Sequence, residues 1–282
     1  MRSKSAMSEL PKPGLIRSSS ARLPGVLARL FRKLGRTAQV YIPLLQEPGK
    51  FVEHHLRLLT RTAHDEELEG LRLIDVPGDA LFLDIGANRG WATHSIRTIC
   101  PHVRIEAFEP NPAMARRIAH LYSSPDALHG VALSNHMGEF PLHVPSYRGL
   151  VFDGLASLSE TEACRWLSKD TLFGFDSRHL AIHQIACRVT TLDSFGTDPF
   201  FIKIDVQGRE YEVIAGGLAT IASTEPIIFA ESEVLDIEKV LELLSQWSYQ
   251  VWRFDGRFHP GETSPRNVYF VPESKTGLIR AA

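Results

Sequence analysis

Two carboxylates stand where an apolar run breaks into a turn: Asp84 in FLDIGANRGW and Glu109 in AFEPNP. Beyond Asp84 the chain passes three turn-forming positions, Gly86, Asn88 and Gly90, before an amphipathic stretch begins at Trp91. A strand, a tight turn and a helix start in that order hold a nucleotide-like ligand against a helix N-terminus. The spacing is G-x-N-x-G, not the G-x-G-x-x-G of a dinucleotide turn. A G-x-x-x-x-G-K-[ST] phosphate loop is also missing, since Trp91 and Ala92 follow Gly90.

An acid at the mouth of the first strand repels a pyrophosphate and suits a cation. A nucleoside carrying a positive amino acid fits better, and S-adenosylmethionine has both an ammonium and a sulfonium. Glu109 is then placed to accept hydrogen bonds from both hydroxyls of a ribose. An acid at a helix N-terminus is also favoured by the helix dipole alone, and dehydrogenases use one there too. Asp84 and the turn spacing separate the ligands; Glu109 does not.

Were such a ligand a methyl donor, a second set of residues would suit the transfer. Methyl transfer is an in-line displacement that gains mainly from proximity and orientation, and an alcohol acceptor must also lose its proton. FFIKIDVQG delivers Asp205 to a strand end, with Lys203 two residues earlier on the same side. Asp205 is the candidate to orient the acceptor or take its proton. Lys203 would lower the pKa of Asp205 or of the acceptor hydroxyl, and Glu231, ending PIIFAES, is the next candidate. The structural alternative is a Lys203–Asp205 charge pair satisfying a strand end, with Glu231 merely structural. His136 and His183 are weaker bases, and the histidine spacing supports no metal site.

These residues need a particular frame. From about residue 51 the chain alternates: FVEHHLRLLTRTAHDEELEGLRLI reads as a helix, ALFLDIG as a strand and WATHSIRTIC as a helix. VRIEAFEP is a second strand, and NPAMARRIAHLY a helix capped by Asn111. GVALSN is a third strand and FFIKIDVQG a fourth. The helix REYEVIAGGLATI, the strand PIIFAES and the helix IEKVLELLSQW follow. YQVWRF and NVYFVP close the chain as strands joined without a helix. This implies an α/β fold: a mostly parallel seven-stranded sheet with an antiparallel edge strand and helices on both faces. Ligands of such sheets bind outside the strand C-termini.

LDIGANRG, AFEPNP, VALSNHMGEF, TLDSF, FIKIDVQGREYEVIAGG and PIIFAE occur in the order seen in FkbM-like methyltransferases. The resemblance runs from about residue 79 to 272. It implies a Rossmann-like class I methyltransferase fold and methyl transfer from S-adenosyl-L-methionine, usually to a hydroxyl of a sugar or natural product. By position, the resemblance implies that Asp84, Gly86, Asn88 and Gly90 surround the methionine end. Glu109 takes the ribose, with Pro110 and Asn111 shaping its edge, while Ser134 and Asn135 contact adenine or form an ordinary turn. The sequence departs from the resemblance at Gln207, where the family usually has an acid.

Residues 138–188 exceed a compact connection and are read as an acceptor pocket or lid. Their aromatics, among them Tyr147, Phe152, Trp166, Phe173 and Phe175, either stack on sugar rings or form the core of a small subdomain.

The whole chain sets outer limits. Its 282 residues, 44% hydrophobic and 23% charged with a net charge of −2, suit one large globular domain plus an extension. Such a balance argues against broad nucleic-acid binding. Cys100, Cys164 and Cys187, odd in number and widely spaced, suggest neither disulfides nor zinc and fit a reduced cytoplasm. Neither a membrane span nor a secretory signal is expected. Residues 1–50 form a basic extension to a domain at 51–282. Within the extension, LPGVLARLFRKLGR spaces its leucines as an amphipathic helix. That helix, at 22–36, either covers a face of the main domain or docks on an anionic membrane or acidic partner. The leading expectation is an O-methyltransferase acting on a small-molecule or glycan acceptor. RNA ribose 2'-O-methylation, or a non-catalytic binding module keeping the fold, are the alternatives.

Overall fold

The computed structural model describes residues 33–35, 37–38, 40–41, 63–121, 124–233 and 235–280. Its strands are β1 (Leu81–Ile85), β2 (Arg104–Phe108), β3 (Ala127–His129), β4 (Ala132–Leu133), β5 (Gly138–Tyr147), β6 (Leu150–Val151), β7 (Leu180–Thr190), β8 (Pro199–Ile204), β9 (Ile227–Glu231), β10 (Tyr249–Phe254), β11 (Phe258–Pro260) and β12 (Asn267–Pro272). Eight of them form the main sheet, in the order β11-β10-β12-β9-β8-β1-β2-β3. The run β9-β8-β1-β2-β3 is parallel throughout. β12 lies antiparallel between β9 and β10, and the short β11 adds an antiparallel edge beyond the seven expected strands.

Every residue of β1 is buried, as a central parallel strand covered on both faces requires. Its side chains alternate between two cores. Leu81, Leu83 and Ile85 join Ile202, Ile204 and Ile228 on one face, while Phe82 joins Phe201, Phe229 and Ile96 on the other. Asp84 and Lys203 are register partners on β1 and β8, so they emerge side by side.

Helix α1 (Trp91–Ile99) follows β1, and α2 (Pro112–Ala119) follows β2 with the Asn111 side chain accepting from Ala113 N at 3.0 Å. α3 (Glu160–Cys164) belongs to the region between β6 and β7. The single helix expected over REYEVIAGGLATI is two, α4 (Glu210–Ala215) and α5 (Leu218–Thr224). The break falls at Gly216 and Gly217, and Gly216 packs so closely that a Cβ there would lie 2.0 Å from the Ser134 carbonyl oxygen. α5 is started by Asp193, the acid of TLDSF, whose carboxylate accepts from Ala219 N and Thr220 N at 3.1 and 2.8 Å. α6 (Ile237–Leu243) follows β9 and ends in a separate 3-10 turn at Ser245–Trp247.

Two further expectations are corrected. GVALSN is not the third strand of the main sheet; that place is taken by β3, just before Gly130, and Ala132–Leu133 pairs instead with β7. The described part of the helix expected over 51–74 is a 3-10 helix, Glu66–Leu73, and residues 51–62 lie outside the described residues.

A second sheet, in the order β4-β7-β5-β6, is built mostly from the long region after residue 138. β5 and β7 pair antiparallel over their length. The aromatics of this region are largely its own core. Tyr147 is fully buried with Leu167 and Leu172, and Phe175 stacks on it at 5.3 Å. Val40 joins that cluster, and Tyr41 donates to the Gly174 carbonyl at 2.7 Å. The expected helix at 22–36 lies outside the described residues apart from 33–35. Among the described residues no helix is long and apolar enough to cross a membrane.

Candidate functional site

A cavity of ≈ 260 Å³ opens at the C-terminal ends of β1, β2 and β8. Of the residues expected there, Gly86, Asn88, Glu109, Pro110, Lys203 and Asp205 line it.

The turn after β1 forms its floor. Gly86 has φ +76°, and a Cβ on it would come within 1.8 Å of the Asp205 carbonyl oxygen, so only glycine lets the two loops meet. Gly86 N and Ala87 N both donate to the Phe108 carbonyl, at 3.0 and 3.1 Å. Asn88, at φ +47°, turns its N–H onto Glu109 Oε2 at 2.7 Å. Glu109 Oε1 accepts from Asn111 N, also at 2.7 Å. Burial lifts the Glu109 carboxyl to about 7, against the two N–H groups that favour its charge.

Asp84 does not line the cavity. It is fully buried beneath the turn, with Oδ2 accepting from Thr93 Oγ1 at 2.6 Å and Oδ1 lying 3.1 Å from Lys203 Nζ. Its charge is therefore matched inside the protein. Lys203 Nζ also donates to the Gly86 carbonyl at 2.9 Å and lies 3.8 Å from Asp205 Oδ2. Burial opposes the lysine's charge, but the Asp84 and Asp205 carboxylates prevail and raise its pKa. It remains an ammonium that braces the turn.

Four more of the residues expected to hold the cofactor sit off the cavity wall. Gly90, at φ +76°, faces Leu121. Asn111 is buried as the α2 cap. Ser134 is buried, with its N–H on the Thr190 carbonyl at 2.9 Å, and Asn135 Oδ1 engages His136 Nδ1 at 3.0 Å. Since the strand break falls earlier than GVALSN suggested, Val131, Ala132 and Leu133 reach the cavity in their place.

Asp205 is joined to Glu231 through a residue that the sequence marked only as a departure. Gln207 Nε2 donates to Asp205 Oδ1 at 2.9 Å and to Glu231 Oε2 at 3.3 Å. Burial, with the charges of Asp205, Glu210 and Glu233, pushes Glu231 up to about 8. Glu231 itself stands outside the cavity lining. Glu210 is likewise lifted to about 7 by burial while its Oε1 accepts from Val206 N and Gly208 N, at 3.0 and 3.2 Å. His183 is paired with Ser146 at 2.9 Å, and neither it nor His136 reaches the cavity.

The region between β6 and β7 supplies the roof. Asn88 Nδ2 donates to the Asp153 carbonyl at 3.1 Å, and Arg89 lies 3.6 Å from the Asp153 carboxylate. Four residues later the Ser157 hydroxyl donates to the Gln207 carbonyl at 3.1 Å. The wall also includes Trp91, whose ring lies 4.3 Å from that of His64. Of these, Asp153 falls within the stretch read as an acceptor pocket or lid, and nothing in the sequence marks His64.

Comparison with known proteins finds methyltransferases. The curated 2-O-methyltransferase NoeI of Sinorhizobium fredii (strain NBRC 101917 / NGR234) is 26% identical over 226 residues, spanning 70% of this chain and 90% of NoeI. The solved methyltransferase FkbM of Methylobacillus flagellatus KT is 16% identical with a TM-score of 0.46, covering 74% of this chain; the present chain spans 47% of that one. A precorrin-6Y C5,15-methyltransferase from Geobacter metallireducens GS-15 is 16% identical with a TM-score of 0.37, covering 74% of this chain and 90% of its own. The sequence model of the methyltransferase FkbM domain matches residues 84–259, from the buried acid of β1 to the edge strand β11. With more than half of its length in that match, the chain belongs to the FkbM family of methyltransferases.

Proposed function

We propose that this methyltransferase takes its methyl group from S-adenosylmethionine and places it on a hydroxyl oxygen of a saccharide or related natural product. The observation that carries the reading is Glu109. Each of its oxygens accepts one backbone N–H, from Asn88 and from Asn111, and a carboxylate oxygen has a second acceptor position. That leaves a matched pair of acceptors on the cavity wall for the two hydroxyls of a ribose. When bound, the sulfonium supplies an electrophilic methyl carbon.

The chain's own residues do the rest. Lys203 and Asp84 hold the turn rigid from below. Gly86 lets the β8 loop close on it, bringing Asp205 to the same cavity. The Asp205 side chain, 42% exposed, is the carboxylate within reach of an acceptor hydroxyl, which it would orient and relieve of its proton. The name of the 2-O-methyltransferase relative supports oxygen as the receiving atom.

Two measurements test this. Calorimetric titration with S-adenosylhomocysteine and with NAD should give binding for the first alone; binding of NAD only would sink the reading. Transfer of labelled methyl from S-adenosylmethionine to a panel of sugars should leave an alkali-stable ether. Label appearing only on nitrogen acceptors would overturn the oxygen assignment.

A further inference from the structure

Asp205 and Glu231 end neighbouring parallel strands and share one hydrogen-bond donor. Two carboxylates brought this close ordinarily need a proton or a cation between them. Here the space between Asp205 Oδ1 and Glu231 Oε2 is taken by the neutral amide of Gln207. The Gln207 backbone suits this bridging position, with a φ of +54° and a carbonyl held by Ser157 from the roof. Asp205 Oδ2 faces Lys203 at 3.8 Å, beyond a direct hydrogen bond. That oxygen is left for another donor.

We propose that Gln207 is a positioning residue of the acceptor side: its amide clamps Asp205 and Glu231 in the place of a cation, and so presents Asp205 Oδ2 to a neutral hydroxyl. The assignment of that hydroxyl to the acceptor rests on the proposed methyl transfer; the clamp does not. The groups facing Glu231 are Asp205 and Lys203 from β8 and its loop, Glu210 from α4 and Glu233 beyond β9. From β12 it meets the neutral Asn267, whose amide donates to Glu67.

The test compares unfolding temperature against pH for the wild type, Gln207→Leu and Gln207→Leu with Glu231→Gln. Without the amide, the apposed carboxylates hold a proton to higher pH, so stability keeps falling further into the alkaline range. The expected extra loss is about 3 °C for each unit by which the acid's pKa moves. Neutralising Glu231 in the same chain should remove this extra loss together with the wild type's own, whereas a merely structural Gln207 would leave the Gln207→Leu profile parallel to the wild type. Parallel profiles for all three proteins would overturn the clamp.

Gln207→Glu provides a second arm. Three carboxylates at this point should bind Ca²⁺, read as a rise in unfolding temperature at pH 8 that the wild type lacks. No Ca²⁺ response in Gln207→Glu, or an equal one in the wild type, would overturn the idea that the amide occupies a cation's place. S-adenosylhomocysteine titration of the same proteins separates the two readings. Binding unchanged by Gln207→Leu supports an acceptor-side role. Absence of binding in every protein would overturn the proposed function, and the acceptor assignment with it, whatever the pH profiles show.

Discussion

Asp84 Oδ1 and Lys203 Nζ lie 3.1 Å apart between two adjacent central strands, and both side chains are almost completely shielded from solvent. Removing one partner of such a pair strands the other charge in the interior. Asp84→Ala should therefore cost about 3–5 kcal/mol of stability, measured by urea unfolding. Asp84→Ala combined with Lys203→Met should recover much of that loss. Equal losses in the single and double variants would mean that the pair is not coupled.

Glu109 should make ligand binding depend on pH. Its carboxyl is raised by burial to about 7, and only the ionised form accepts from two hydroxyls at once. S-adenosylhomocysteine should bind more weakly as pH falls below about 7, and Glu109→Gln should bind weakly at every pH. Folding runs the opposite way. The raised pKa means that the folded chain holds this proton more tightly than the unfolded one. Its contribution is complete below the ordinary value of 4.5 and is lost as pH rises through about 7. Glu109→Gln should flatten that part of the stability profile; an unchanged profile would remove Glu109 as its source.

Asp153 ties the roof to the turn after β1. Its ion pair with Arg89 has side chains 18% and 11% exposed. A pair of this kind contributes up to about 1 kcal/mol. Asp153→Ala should thus raise the dissociation constant of S-adenosylhomocysteine by up to about fivefold while leaving global stability little changed. Hydrogen exchange in residues 152–158 should speed up in the same variant. Unaltered binding and exchange would mean that the roof is held elsewhere.

How far these residues could be read from the sequence follows from how local their signals are. The ends of β1 and β2 were legible because each is an apolar run closed by an acid and a turn, all within a dozen residues. β12 was legible from its helix-free connection to β10. The position of Asp84 was not: its partner Lys203 arrives only when β8 pairs with β1, and a sequence shows no register between strands so far apart. GVALSN was misplaced because a two-residue strand of the second sheet follows a three-residue strand of the first, too short for alternation to separate them. Gln207 stood out as an exception, but its amide acquires its partners only from the fold.

The second sheet leaves and rejoins the main body at one place. Leu133 of β4 pairs with Thr190 of β7, and the next residue, Ser134, donates to the same Thr190 carbonyl. This seam makes the stretch between them a self-contained excursion, anchored at its own base. Asp153 and Ser157 bring the excursion back onto the main body, at Asn88 and Arg89 and at the Gln207 carbonyl. The cavity is thus assembled like a hinged box, its floor the main sheet and its ceiling a leaf of the chain joined along one seam and latched at the far edge.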